Sequence, residues 1–116
     1  MRQLYVIQSI LSNVLAKARE SNQRVRSLQL VLGEIAELDP VSIQKQWEEL
    51  SKGTLAERAN LQFRSIKAEV QCMACFQKYH PQDGKIHCPY CGSFGAKILS
   101  GEEFYLESIE LDDEQT

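Results

Sequence analysis

Apolar residues recur at three- and four-residue steps near the start of the chain. Leu4, Ile7, Leu11, Val14 and Ala18 form one stripe, widened by Leu15, while Ser9, Asn13, Lys17 and Glu20 fall largely on the other side. That period predicts an amphipathic helix from about 4 to 20, stopped by Ser21-Asn22. The period then drops to two. Over Val25–Gly33, Leu28, Leu30 and Leu32 share one face, which predicts a half-buried strand. A loop over 33–38 leads into Asp39-Pro40, with Asp39 suited to the N-cap and Pro40 to the first position of a helix. This second helix should run from about 40 to 52 and turn Ile43, Trp47 and Leu50 inward. Lys52-Gly53 closes it, Gly53 being available for a left-handed cap. Alternation returns at about 60–70, where Leu61, Phe63 and Ile66 oppose Gln62, Arg64 and Lys67. It returns again at 103–111, with Phe104, Leu106 and Ser108 against Tyr105, Glu107 and Ile109. The phase shifts near Ser108, so a bulge or a two-sided strand is expected there.

Between the last two strands lies every cysteine of the chain, as Cys72-x-x-Cys75 and Cys88-x-x-Cys91 with twelve residues between the pairs. Each pair offers two sulfurs from one tight turn, and the linker is long enough for a short hairpin to bring the pairs together. Four thiolates in a closed tetrahedral shell suit Zn²⁺ in a structural role. Pro89 and Gly92 shape the second turn, Gly92 taking a positive φ just after the last ligand. Two disulfides are the alternative; no signal-peptide pattern opens the sequence, so reduced thiols in the cytoplasm are expected. A thioredoxin-like site would need one dithiol after a strand, not a matched set of two. The order helix, strand, helix, strand, cysteine lobe, strand predicts an α+β body, residues 1–70 plus 98–116, with a zinc-binding lobe at 71–97 inserted between two strands of one sheet.

Composition narrows the function. The chain has 116 residues, 43% hydrophobic and 25% charged, enough for one compact domain or a small domain with a lesser lobe. No apolar run approaches the ~20 residues a membrane span requires, so no membrane insertion is expected. A net charge of −3, with an acidic end (Glu107, Glu110, Asp112, Asp113, Glu114), argues against nucleic acid as the partner. No nucleophile–base arrangement, glycine-rich phosphate loop or paired carboxylates stand out, and an enzyme is not expected.

Several segments, in this order, resemble the nickel metallochaperones that mature nickel–iron hydrogenases and, in some organisms, urease. They are Leu4-Tyr5-Val6-Ile7-Gln8-Ser9-Ile10-Leu11, Leu32-Gly33-Glu34-Ile35, Leu38-Asp39-Pro40, Cys72-x-x-Cys75, Cys88-Pro89-Tyr90-Cys91-Gly92-Ser93 and Gly101-Glu102-Glu103-Phe104. The resemblance spans nearly the whole chain. It implies two helices packed on a small three-stranded sheet, an inserted zinc-ribbon-like lobe with four cysteine ligands, and work with a maturation GTPase to deliver nickel to a hydrogenase large subunit.

The N-terminus departs from that family. The family opens Met-His-Glu and holds nickel through the imidazole at position 2, the terminal amine and the backbone nitrogens of residues 2 and 3. Here the opening is Met1-Arg2-Gln3. Nickel in a square-planar nitrogen site needs an anchoring donor before backbone amides release their protons, and a neutral imidazole supplies one. The Arg2 guanidinium stays protonated, has no lone pair and sets a positive charge where the dication would sit. Gln3 brings no carboxylate to offset it. The terminal amine of Met1 remains, so the expected nickel site is absent or much weakened. Asp39 stands where some members bring an aspartate near nickel, but helix capping already accounts for it.

His80 and His87, the only histidines, lie in the cysteine lobe; four thiolates already fill a tetrahedral shell, and both are expected at the surface or in hydrogen bonds. Trp47 is expected in the core, and Phe76 and Tyr79 over the metal site rather than stacked on bases. The functional expectation is a hydrogenase-maturation accessory protein with structural zinc and an impaired nickel site. The alternative keeps the fold but makes the chain a zinc-stabilised adaptor or assembly module for a different protein complex.

Overall fold

The computed structural model describes residues 2–82 and 86–112, with side chains from Gln3 onward. Packing divides the chain into two units. One comprises Met1–Val31, Leu38–Arg64 and Tyr105–Thr116; the other comprises Leu32–Glu37 and Ser65–Phe104.

In the first unit, helix α1 (Arg2–Ser21) buries Ile7, Ile10, Leu11, Val14 and Ala18, the stripe set by its 3.6-residue period. It stops where Asn22 turns left-handed, at φ 51°. The N–H groups of Asn22 and Gln23 reach back to the carbonyls of Arg19 and Ala18, a Schellman closure that satisfies two terminal carbonyls. Helix α2 (Pro40–Leu50) starts as its sequence indicates: Asp39 is extended, and its carboxylate accepts the Val41 N–H at 3.3 Å. Ile43 and Trp47 are each 1% exposed, so the tryptophan is a core residue. Leu50 is only half-buried. Gly53 does take a positive φ, 77°, but two residues past the Ser51 C-cap, in the following turn.

Strand β1 (Val25–Gly33) lies between β2 (Asn60–Ile66) and β6 (Phe104–Leu111). Hydrogen bonds Asp112 N–H to Arg24 C=O and Gly33 N–H to Glu103 C=O run β1 and β6 antiparallel. Val25 N–H to Leu55 C=O and Glu34 N–H to Ile66 C=O run β1 and β2 in one direction, with α2 in the connection that a parallel pair requires. Burial on both faces overturns the half-buried expectation for β1. Leu28 and Leu30 are buried as the alternation demands, but Val25 and Val31 are buried on the opposite face as well. The Arg64 fork grips the Glu107 carboxylate at 3.0 and 2.8 Å, reaching from β2 to β6 across that central strand. Along β6 the half-buried positions change phase between Glu107 and Ser108, where the alternation shifts in the sequence.

The second unit carries its own sheet. Strands β3 (Glu69–Cys72), β4 (Lys78–Tyr79) and β5 (Ala96–Ser100) pair antiparallel in the order β4-β3-β5. Val70 faces Tyr79 and Ile98, Gln71 faces Lys78 and Lys97, and Cys72 faces Ala96. The single strand expected at 60–70 is therefore two strands in two sheets. The chain changes sheets at Lys67-Ala68, where the Ala68 N–H goes to the Glu34 carboxylate at 2.7 Å instead of to a neighbouring strand. Val70, Cys72, Tyr79 and Cys88 make the core of this unit, with Cys75 and Ala96 packed against it.

Candidate metal centre

The two cysteine turns are built alike. In the first, the Phe76 N–H bonds the Cys72 carbonyl and the Cys72 N–H bonds the Gln77 carbonyl; in the second, Gly92 N–H bonds Cys88 and Cys88 N–H bonds Ser93. Each turn closes on a left-handed residue just after its second cysteine, Gly92 at φ 83° and Phe76 at φ 64°. Glycine meets that demand without steric cost, and the sequence announced it. Phenylalanine does not, and the strain at Phe76 had no sequence signal. Phe76 also does not cover the site: it is 66% exposed, whereas Tyr79 is buried and donates its hydroxyl to the Ile86 carbonyl.

The turns bring all four sulfurs within 4.8 Å of one another. The Sγ atoms of Cys72 and Cys91 are 3.5 Å apart and those of Cys75 and Cys88 are 3.7 Å apart. A tetrahedron of sulfurs bonded to zinc at ~2.3 Å has edges of about 3.8 Å, so the donor set fits a Zn²⁺ ion in both chemistry and size. Backbone donors prepare the thiolates. The N–H groups of Ala74 and Cys75 point at the Cys72 Sγ at 3.3 and 3.4 Å, and the Tyr90 N–H points at the Cys88 Sγ at 3.4 Å.

These contacts divide the acidities. The Cys75 N–H, and after burial the Ala74 N–H, draws the Cys72 thiol down to about 6, burial opposing both. Cys91 goes the other way, to about 12: the Ser93 N–H favours its thiolate, but Cys72, burial, Cys75 and Cys88 together outweigh it. Cys75 is raised as well, the Gln77 N–H losing to burial and to Cys72 and Cys88. Four sulfurs this close cannot all carry charge unaided, and a central dication is what lets them.

Neither histidine joins the sulfurs. The His87 ring packs on Phe94, centroids 4.9 Å apart. His80 places Nε2 at 2.9 and 3.0 Å from the two Glu34 carboxylate oxygens. Glu34 thus joins the 32–37 segment to both Ala68 and His80, a role the sequence left unread. The Ala68 N–H, and then His80, hold its carboxyl below the usual glutamate range. A lowered folded pKa means the contribution is complete above the ordinary glutamate value and is lost as pH falls through the lowered one. The Ala68 amide resonance should therefore titrate with a midpoint below that of an unperturbed glutamate, and Glu34→Gln should abolish the titration. A midpoint in the ordinary range would show that the carboxylate is not so held.

The residues tied to nickel by resemblance lie in the first unit. Met1 is outside the described residues, and of Arg2 only the backbone is described, as the first residue of α1. Gln3 donates its side-chain amide to the Gln46 side-chain oxygen Oε1 at 2.9 Å, linking α1 to α2. Asp39 serves as the N-cap. Among the described residues, the only cluster of histidine, cysteine, aspartate or glutamate able to hold a metal is the four-cysteine one. No described helix is long and apolar enough to cross a membrane.

Comparison with known proteins agrees with this build. The family model for HypA, the hydrogenase/urease nickel-incorporation metallochaperone, matches residues 1–111. Hydrogenase maturation factor HypA of Dehalococcoides mccartyi is 35% identical over 115 residues, covering 98% of this chain and 97% of its own. The factor of the same name from Chlorobium limicola is 33% identical over 114 residues, covering 97% and 98%. The solution structure of the Ni metallochaperone HypA from Helicobacter pylori shares the fold, with a TM-score of 0.65 over 94% of this chain and 96% of that one at 21% identity. The chain belongs to the HypA family of hydrogenase/urease nickel-incorporation metallochaperones.

Proposed function

We propose that this protein is a hydrogenase-maturation accessory factor that works through docking more than through tight carriage of nickel at its N-terminus. The observation that carries the reading is the match over residues 1–111 together with the convergence of the four cysteines. Cys72, Cys75, Cys88 and Cys91 would hold a structural Zn²⁺, whose part is to cross-link the two turns. The chain's own contribution is to present four sulfurs at tetrahedral spacing and to aim backbone N–H groups at Cys72 and Cys88, which favours their thiolate forms. The partners in this reading are a maturation GTPase and a hydrogenase large subunit in the cytoplasm, and the chain itself performs no catalysis.

Nickel is the cargo of such a pathway, and the opening Met1-Arg2-Gln3 weakens its usual seat. Arg2 replaces a neutral donor with a fixed cation. The Gln3 amide is engaged with Gln46 and supplies no negative charge. This pairing favours a second role for the same fold, an adaptor that assembles a complex without itself carrying nickel. A Ni²⁺ titration of zinc-loaded protein separates the two. The unaltered chain should show no square-planar d–d absorption at one equivalent, and Arg2→His/Gln3→Glu should gain it. A full band from the unaltered chain would make it a working carrier and dismiss the objection to Arg2.

A further inference from the structure

Half of the chain's six arginines meet at one end of the first unit. Arg24 and Arg26, two residues apart at the start of β1, fall on one side of the extended chain, and Arg58 comes from the turn before β2. With Val25, Leu55, Glu57 and Asp112 they line a cleft of about 510 Å³. Its walls are fixed by main-chain bonds: Val25 N–H to Leu55 C=O at 2.9 Å and Asp112 N–H to Arg24 C=O at 2.7 Å. Arg26 Nη2 already holds a carboxylate there, Asp112 Oδ1, at 3.1 Å. Arg24 and Arg58 are exposed and make no ion pair with any described residue.

We propose that this cleft is a docking site for an acidic peptide segment of a partner protein. It goes beyond nickel insertion, since three guanidiniums line the cleft and its two carboxylates are not part of any cluster of metal ligands among the described residues. Guanidinium forks match carboxylates in geometry, and Arg26 already holds one carboxylate there through a single Nη2 contact to Asp112. Aspartate or glutamate side chains spaced along an extended segment would occupy Arg24 and Arg58 and exchange with Asp112 on Arg26. Glu57 and Asp112 leave the cleft with an excess of one positive charge, and the chain as a whole is at −3. That balance suits a few discrete carboxylates and repels the dense charge of a nucleic-acid backbone.

The test is fluorescence anisotropy of a labelled hexaglutamate peptide titrated with the zinc-loaded full chain. Saturable binding should weaken about tenfold or more in Arg24→Gln/Arg58→Gln. Arg24→Lys/Arg58→Lys, which keeps the charge but not the fork, should retain part of it and covers the case in which the first variant misfolds. Lys17→Gln/Lys45→Gln removes the same charge outside the cleft and should change binding less than about twofold. The proposal is overturned if the unaltered chain shows no saturable binding, if both glutamine pairs weaken it equally, or if a single-stranded oligonucleotide binds more tightly than the peptide.

Discussion

Cys88→Ser should release the metal and dissolve the order of residues 65–104 while leaving the helices folded. Cys88 is 1% exposed and belongs to the core of its unit with Val70, Cys72 and Tyr79. Those four residues, with Cys75 and Ala96 beside them, are too little apolar material to hold three short strands on their own. In isolated zinc-finger peptides a structural Zn²⁺ contributes about 10–16 kcal/mol to folding, more than a small apolar cluster can replace. A serine hydroxyl has nearly the shape of the thiol but is a poor zinc ligand at neutral pH, so the loss is of coordination and not of volume. The expected result is protein without stoichiometric zinc, collapsed amide dispersion for the cysteine lobe, and far-ultraviolet circular dichroism close to the parent, because α1 and α2 both lie in the other unit. Chelation of the parent should give the same spectrum, and more readily at lower pH, where protons compete for the thiolates. A Cys88→Ser lobe that kept dispersed amides would show that the sheet stands without the metal.

Gly33→Ala carries the next largest effect. A Cβ at position 33 would lie 2.1 Å from the Gly101 carbonyl oxygen, 2.2 Å from its carbon and 2.7 Å from the Glu102 nitrogen. All three are backbone atoms, so no side chain can swing aside. The Gly101 oxygen is also the acceptor for the Ile35 N–H at 2.8 Å, and Gly33 itself donates to Glu103 at 2.7 Å. Relieving the overlap therefore strains or breaks bonds on both segments, and a loss of about 3 kcal/mol is expected, at the upper end for an overpacked site. Gly53→Ala is the control: it sits at φ 77° with nothing within 4 Å of the new methyl, and strain alone should cost about 1 kcal/mol. Urea denaturation of the two variants should rank them in that order. Equal midpoints would mean that the 33 and 101 segments are not in the close approach described.

The residues that the sequence made legible share one property: their roles depend on near neighbours in the chain. The apolar period of α1, the Asp39-Pro40 start of α2, the inward turn of Trp47 and the left-handed Gly92 are all local, set within one or two turns of backbone. The cysteine turns are local too, since each closes on its own carbonyl. Misreadings arose where a distant segment decided. Nothing in Leu61–Val70 marks Lys67-Ala68 as a change of sheet, because the group that captures the Ala68 N–H is Glu34, more than thirty residues away. The alternation in β1 pointed to one buried face, whereas packing in the folded chain buries Val25 and Val31 on the other as well. Phe76 looked like a cover for the metal site and instead bears the left-handed turn, exposed.

The sequence by itself determined the two helices, strands β1 and β6, the capping of the second helix, the four sulfurs and the arginine at position 2, because periodicity, turn chemistry and ligand softness are properties of residues and their spacing. Only the tertiary structure decided which sulfurs approach to 3.5 Å, that Glu34 ties Ala68 to His80, that Gly33 must be bare because Gly101 passes over it, and that three arginines share one cleft. Each of these is an approach between segments remote in the chain, and the distance at which remote segments meet is fixed by the packing of all the elements at once.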